Sequence, residues 1–382
     1  MRRFKAHVHL DHGRATGRIG PEWSLEDYIA RFHYGYGHAS PYVELSSSTD
    51  RTENPPMRFL RRGLTYVLGF DLLHAYANRR GLTSADIIWT RTEHESLAVA
   101  LLKRLHLIGD VPLIGGAIWL WDDWPRRGVR RAFYTWLCGA IDLHTAQSFD
   151  NTAVGTQALG QPVVFLPYGV STRRPPVAPP RSDPGRVIHV VAPGNDRHRD
   201  WDTLVAAVCD NSDFRLRILS RRSGARAAAK RCDRVEVFPV DTRERVFEEY
   251  SRADVVAVPL RFNRHNSGAT VGFESVLAGR PLAITATGGL QTYLRDYVSW
   301  AEVGDPRSMA DAIRAAASRG ASAQAYDHLG DRGLTIRDYG LRHVLATWFT
   351  LGVLEDVATI EALEPIEPLV AAVASSDPIS TD

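Results

Sequence analysis

The sequence predicts an α/β protein with two doubly wound, Rossmann-like parallel-sheet domains facing a cleft. Three observations carry this. Apolar strand patterns alternate with amphipathic helix patterns along the whole chain, which calls for crossover units and a sheet covered on both faces. A stretch of fifteen residues, "STRRPPVAPPRSDPG" at 171–185, holds five prolines and can be neither helix nor central strand. The length, 382 residues, suits about two domains.

In the first half, strands are expected at "FKAHVHL", "YVELSS", "ADIIWT", "PLIGGAIWLW", "IDLHTAQS" and "PVVFLPYG". Helices are expected at "SLEDYIARF", "MRFLRRGLTYVLGFDLLHAYANR", "SLAVALLKRL" and "RRAFYTWLCGA". After the prolines the alternation restarts at "RVIHVVAP" and runs through "WDTLVAAVC", "FRLRILS", "AAAKR", "VEVFPV", "RERVFEEYS", "DVVAVPL", "TVGFESVLAG" and "PLAITA". The expected division is an acceptor-binding domain at 1–170, a linker at 171–186 and a second domain at 187–340. A closing helix at 341–358 and a flexible tail at 359–382 complete it.

Composition excludes several classes. Formal net charge is +2, so nothing drives the chain toward nucleic acid. Cys138, Cys209 and Cys232 show neither metal spacing nor a disulfide framework. "MRRFKAHVHLDHGR" turns polar too early for a signal peptide, and no apolar run is long enough to span a membrane. A cytoplasmic protein is expected. Arginines beside aromatics, at Arg58, Arg61 and Arg62 and at Arg126, Arg127, Arg130 and Arg131, are compatible with a weak peripheral contact on the inner membrane face. The commoner role of such faces is solvation.

The chemistry concentrates in "HNSGATVGFESVLAGRP", His265 to Pro281. Phe273, Val276 and Leu277 have the spacing of a helix core face, and Gly279 and Pro281 end the helix. Upstream stand Ser267, Gly268, Ala269 and Thr270. Small side chains let a ligand approach the backbone, and open N–H groups at a helix start bind anions. A diphosphate would lie there. Glu274 is not the acid of a capping box, because Val271 three residues earlier cannot cap. One turn inside the helix, it can accept hydrogen bonds from a ribose diol.

This order of small residues, Gly-Phe-Glu, small apolar helix, Gly-Arg-Pro, apolar strand and Gly-Gly resembles the nucleotide-sugar site of family-four glycosyltransferases (glycosyltransferase group 1). The resemblance implies a GT-B fold and transfer of a sugar from a nucleoside diphosphate to an acceptor hydroxyl. In that family a Glu, seven residues and a second Glu mark the element. Glu274 matches the second, and the first falls on Asn266, where the sequence departs. "TATGGLQTYL", Thr285 to Leu294, matches the strand and Gly-Gly turn that follow. "APGNDRHRDWDTLVAAV" resembles the family's loop in which a cation meets the diphosphate. There Arg199-Asp200 replaces Lys-Gly or Lys-Asp, with Arg197 as the alternative cation. The resemblance covers roughly 187–354, and the first half matches only in strand order.

In the first domain, Thr92 and Glu95 fit a capping box, which leaves Glu93 and His94 to face the cleft. Asp122 and Asp123 follow another strand, and either could act as base on an acceptor hydroxyl; a plain turn is the competing reading. Trp119, Trp121 and Trp124 could stack on a sugar or simply pack the core. Gly13, Gly17 and Gly20 do not form a dinucleotide fingerprint.

The expected reaction needs no metal and no cofactor beyond the nucleoside diphosphate sugar. Backbone N–H groups and an arginine can stabilise the leaving diphosphate. The resemblance implies retention of configuration, whereas inversion would use Asp122 or Asp123. The acceptor could be a small molecule, a glycan or a lipid-linked sugar. A catalytically inactive sugar-nucleotide binder is the rival, with Asn266 as its sign. A pyridoxal-dependent phosphorylase has few lysines to use, since Lys5, Lys103 and Lys230 are the full set. A P-loop is missing.

Overall fold

The computed structural model describes residues 3–14, 24–124, 128–173, 187–320 and 324–375. The chain divides into two compact units. Unit 1 is Met1–Gly169 together with Gly333–Asp382, and unit 2 is Val170–Arg332.

Unit 1 runs β1 (Lys5–Val8), α1 (Leu25–Arg31), β2 (Glu44–Ser47), α2 (Pro55–Leu68), α3 (Leu72–Ala77), α4 (Arg79–Thr83), β3 (Ile87–Trp89), α5 (Glu93–Arg104), β4 (Leu113–Ala117), α6 (Gly128–Cys138), β5 (Leu143–Ala146), α7 (Phe149–Leu159) and β6 (Val163–Phe165). Its strands form one sheet in the order β2-β1-β3-β4-β5-β6, every pair parallel. Two layers cover it, as the side-chain alternation of β3 shows. Ile87 and Trp89 point into one apolar cluster and Ile88 into the other.

Unit 2 runs β7 (Ile188–Pro193), α8 (Trp201–Cys209), β8 (Phe214–Leu219), α9 (Ser223–Ala229), β9 (Val235–Phe238), α10 (Arg243–Arg252), β10 (Val255–Val258), α11 (Ala269–Leu277), β11 (Leu282–Thr285), α12 (Leu290–Leu294), β12 (Val298–Ala301), α13 (Pro306–Arg319) and α14 (Ala325–Asp331). Its order is β12-β11-β10-β7-β8-β9, again all parallel. The four residues of β10 are all buried, the continuous apolar run expected of a strand covered on both faces. The winding reverses between β1 and β3 in unit 1 and between β7 and β10 in unit 2. At such switch points the loops after adjacent strands diverge and leave a crevice for ligand.

The chain then returns to unit 1 through α15 (Ile336–Thr350), α16 (Ala358–Glu361) and α17 (Glu367–Ser375). Here two expectations are corrected. The closing helix begins at Ile336, where Thr335 and Asp338 form a capping box. The expected flexible tail is folded over residues 359–375, because Ile360, Ile366 and Val370 are fully buried beside Trp348 and Val344. Asp338 and Arg342 tie it down. Asp338 accepts from the Ile366 N–H at 3.0 Å, and Arg342 donates to the carbonyls of Ile360, Ala362 and Glu364.

Another correction concerns the single long helix expected over 57–79. Gly69 takes φ +85°, ends α2, and Asp71 starts α3 by accepting from the His74 N–H. A side chain on Gly69 would collide with the Tyr134 hydroxyl. The helices α4 and α7 and the last unit 2 elements, β12, α13 and α14, were not expected. Of the glycines near the first strand, Gly13 has φ +89°, while Gly17 and Gly20 lie outside the described residues. So do Arg126, Arg127 and linker residues 174–186.

Candidate functional site

The loop from β7 to α8 and the loop from β10 to α11 meet at the unit 2 switch point. Arg199 and Leu260 pair across them by an isolated antiparallel bridge. Asp200 caps α8, accepting from the Thr203 N–H at 3.3 Å and its hydroxyl at 2.7 Å. This fixes the residue beside it. The Arg199 side chain is buried, only 4% exposed. It passes between two glycines. A Cβ on Gly194 would sit 2.1 Å from its Nε, and one on Gly268 would sit 3.0 Å from its Nη1.

Within the described residues, neither Nε nor Nη1 of Arg199 has a hydrogen-bond partner. Burial pushes the guanidinium down to about 10, against the pull of Asp196 and Tyr250. It stays charged at neutral pH. A buried charge without hydrogen bonds is costly, and this one lies beside a helix start. Gly268, with φ +85°, is the N-cap of α11, and no side chain caps the helix. Open N–H groups, the positive end of the dipole and a guanidinium therefore converge on one point. That arrangement suits an anion with several acceptor oxygens.

A second cluster braces the loops. Asp196 accepts from the His198 N–H at 2.8 Å and meets its ring at 3.1 Å. Its other oxygen accepts from the Ser267 hydroxyl at 2.9 Å. His265 stands 3.7 Å away, beyond hydrogen-bond length, so it acts on Asp196 as an ion pair when protonated. Burial alone would raise the Asp196 carboxyl; the histidine contacts outweigh it and hold the group well below the usual carboxylate range. The rings of His198 and His265 lie 4.8 Å apart, edge to face.

The expected donor residues thus divide. Arg199, Ser267, Gly268, Ala269 and Thr270 are brought together. Asn266 is buried and its carbonyl accepts from the Ala269 N–H at 3.1 Å. Arg197 is exposed. Glu274 is partly buried, accepts from the Tyr250 hydroxyl at 3.1 Å, and burial raises its carboxyl. Sequence reasoning missed Asp196, His198 and His265. Their signal was present: each histidine stands in a loop after one of two strands that must be neighbours at the switch point.

In unit 1, Glu93 is corrected. Rather than standing open at the end of its strand, it is buried, and its Oε2 accepts from the N–H groups of Ile118 and Trp119 at 3.1 and 3.2 Å. It anchors the loop that carries Asp122 and Asp123, both half-buried. Trp121 and Trp124 are core residues, 5.1 Å apart, which corrects the stacking role considered for them. Half-buried His94 sits edge to face with Trp119 at 6.5 Å. Glu95 caps α5 as expected and also accepts from the Asp11 N–H at 3.2 Å. Burial and Asp11 push its carboxyl up to about 8. One cavity of about 470 Å³, lined by His12, Glu53, His74 and Arg79 among others, opens near the carboxyl ends of β1 and β2. Another, of about 570 Å³, lies beside Asp110 and Asp142, which precede β4 and β5. That is the end of the sheet opposite the one where ligands bind.

No model of a known protein family matches the chain. Solved structures do. Sucrose-phosphate synthase of Thermosynechococcus elongatus is similar over 92% of this chain and 100% of that one, with TM-score 0.64 and 16% identity. The lipopolysaccharide outer core galactosyltransferase WaaB is similar over 90% and 99%, with TM-score 0.58 and 11% identity. The chain has the GT-B fold. Another GT-B structure, Anabaena HepE in complex with UDP and glucose, is similar over 98% of this chain and 100% of its own, with TM-score 0.55 and 13% identity. Among curated proteins, a D-inositol 3-phosphate glycosyltransferase of Xylanimonas cellulosilytica is 36% identical over 115 residues. That stretch spans 27% of this chain and about a quarter, 27%, of the relative's length.

Proposed function

We propose that the chain is a glycosyltransferase that takes its sugar from a nucleoside diphosphate donor. The observation that carries this is Arg199: a buried guanidinium with two unpartnered donors, wedged between Gly194 and Gly268 at an uncapped helix start. The diphosphate lies on Arg199 and the first turn of α11, and Glu274 receives the ribose diol. The GT-B fold and the nucleotide bound by HepE support the same assignment.

In the transfer, the bond from the sugar's anomeric carbon to the diphosphate oxygen breaks. A bond to the acceptor oxygen forms, and negative charge grows on the leaving diphosphate. Fixed donors aimed at that charge lower the barrier without reorganising. The positive groups at the site are the protein's own, so no metal enters the proposal. With retention, the acceptor proton passes to the departing diphosphate. With inversion, Asp122 or Asp123 takes it. The acceptor belongs to unit 1, where the cavity beside His12, Glu53 and Arg79 offers polar groups and a Tyr76 ring.

Calorimetric titration of UDP, GDP, dTDP and ADP without metal tests the donor site. One nucleotide should bind, and Glu274→Ala should weaken it by about tenfold or more, roughly 1.4 kcal/mol. Equal binding by Glu274→Ala, or no binding at all, would overturn the assignment. A panel of radiolabelled nucleotide sugars then separates a transferase from a binder that transfers nothing.

A further inference from the structure

The helix α2 carries large apolar side chains on its solvent side. A helix at the surface of a globular domain normally turns its apolar side inward. Here the inward stripe sets Arg61, whose guanidinium meets Glu53 and Asp71 at 2.6 Å each, beside the partly buried Leu64, Thr65 and Leu68. The outward side carries Phe59, Tyr66 and Val67, which are 82%, 85% and 62% exposed. No residue of the helix is buried. Phe59 and Tyr66 are seven apart and so share one side, with Arg62 about 40° away around the helix from Tyr66. Arg58 and Arg62 are exposed along its flank.

The neighbouring helix α6 buries Tyr134, Leu137 and Cys138 and also leaves apolar side chains and arginines outside. Its Tyr134 hydroxyl donates to the Leu68 carbonyl at the end of α2, at 2.7 Å. Phe133 stacks on Phe70 at 6.4 Å. Val129 is 95% exposed, Trp136 is exposed as well, and Arg130 and Arg131 lie between them in the sequence. Neither helix contains an Asp or a Glu.

We infer that α2 and α6 form a docking surface for an anionic lipid bilayer. Exposed aromatics flanked by arginines match the interfacial layer, where rings sit at headgroup depth and guanidinium groups meet phosphates. A second copy of this chain fits less well. A symmetric dimer would set the same arginines against themselves, and these helices hold no acid to pair with them. The inference is independent of the donor site. If both hold, the acceptor is one carried at a membrane surface.

Sedimentation with vesicles tests it, using phosphatidylcholine alone and phosphatidylcholine mixed with phosphatidylglycerol. The full chain should bind the anionic vesicles and remain largely in solution with the neutral ones. Added salt should weaken binding. Phe59→Ser with Tyr66→Ser, and separately Arg58→Glu with Arg62→Glu, should each reduce partitioning by about tenfold. These residues are exposed, so circular dichroism and nucleotide titration should stay unchanged. The inference is overturned if the chain ignores anionic vesicles, or if both double variants bind as well as the original. It is also overturned if ultracentrifugation without lipid shows a dimer that Phe59→Ser with Tyr66→Ser dissolves, for the face would then belong to a second copy.

Discussion

Among the buried arginines, Arg342 in unit 1 and Arg199 in unit 2 are handled in opposite ways. Arg342 in α15 of unit 1 is fully buried and donates to four carbonyls, those of Gly333, Ile360, Ala362 and Glu364, at 2.5–3.3 Å. Arg199 in unit 2 is almost as buried, yet two of its nitrogens donate to nothing in the described chain. The first holds the C-terminal segment onto unit 1. The second is placed at a cost that folding does not repay. Satisfied buried charge reads as architecture, and unsatisfied buried charge reads as a prepared binding site. Glu93 falls on the architectural side by the same criterion, since backbone N–H groups fill its carboxylate.

The comparison breaks most visibly on substitution. Arg342→Met should strip four carbonyls of their donor and destabilise unit 1 by about 3–5 kcal/mol, read as a lower urea midpoint. Arg199→Met should do the reverse: melting unchanged or higher, and nucleotide affinity down about 100-fold, near 2.7 kcal/mol. If Arg199→Met unfolds the protein as Arg342→Met does, the contrast is void. Gly268→Ala sharpens the geometry. It forces a side chain onto a φ of +85° and against Val258 and Arg199, and should cost about 1–2 kcal/mol while also weakening nucleotide binding.

A separate effect is on pH dependence. The Glu95 carboxyl is pushed up to about 8 in the folded chain, well above its unfolded value near 4.3. Between those values the folded state holds a proton that the unfolded state has lost. Stability from this group is therefore full below about pH 4 and is lost as pH rises toward 8. Glu95→Gln should flatten that slope in pH-dependent chemical denaturation.

Much of this was legible beforehand. β10 and the helix start at Ser267–Thr270 announced themselves because burial on both faces and open backbone each demand a narrow set of residues. Arg199 was legible through the resemblance of its loop, which left Arg197 as the alternative cation. Its lack of partners was not, because that depends on where Gly194 and Gly268 sit in space. Glu93 misled because a capping box explains Glu95 and seems to leave its neighbour idle. Only the return of the Ile118–Trp119 backbone shows what Glu93 holds. The folded stretch 359–375 misled through composition, since its Pro- and acid-rich loops hide three buried apolar residues and the carbonyls that Arg342 needs.

The split of unit 1 also has a consequence for biosynthesis. Unit 2 is one uninterrupted stretch, whereas unit 1 needs α15 and the residues around Ile360 and Val370 to complete its core. During translation the domain begun first is therefore finished last. The inserted domain can mature on the ribosome while its host waits with an open apolar face. Residues 170–332 should be expressible alone, and a chain halted at residue 332 should need chaperones to stay in solution.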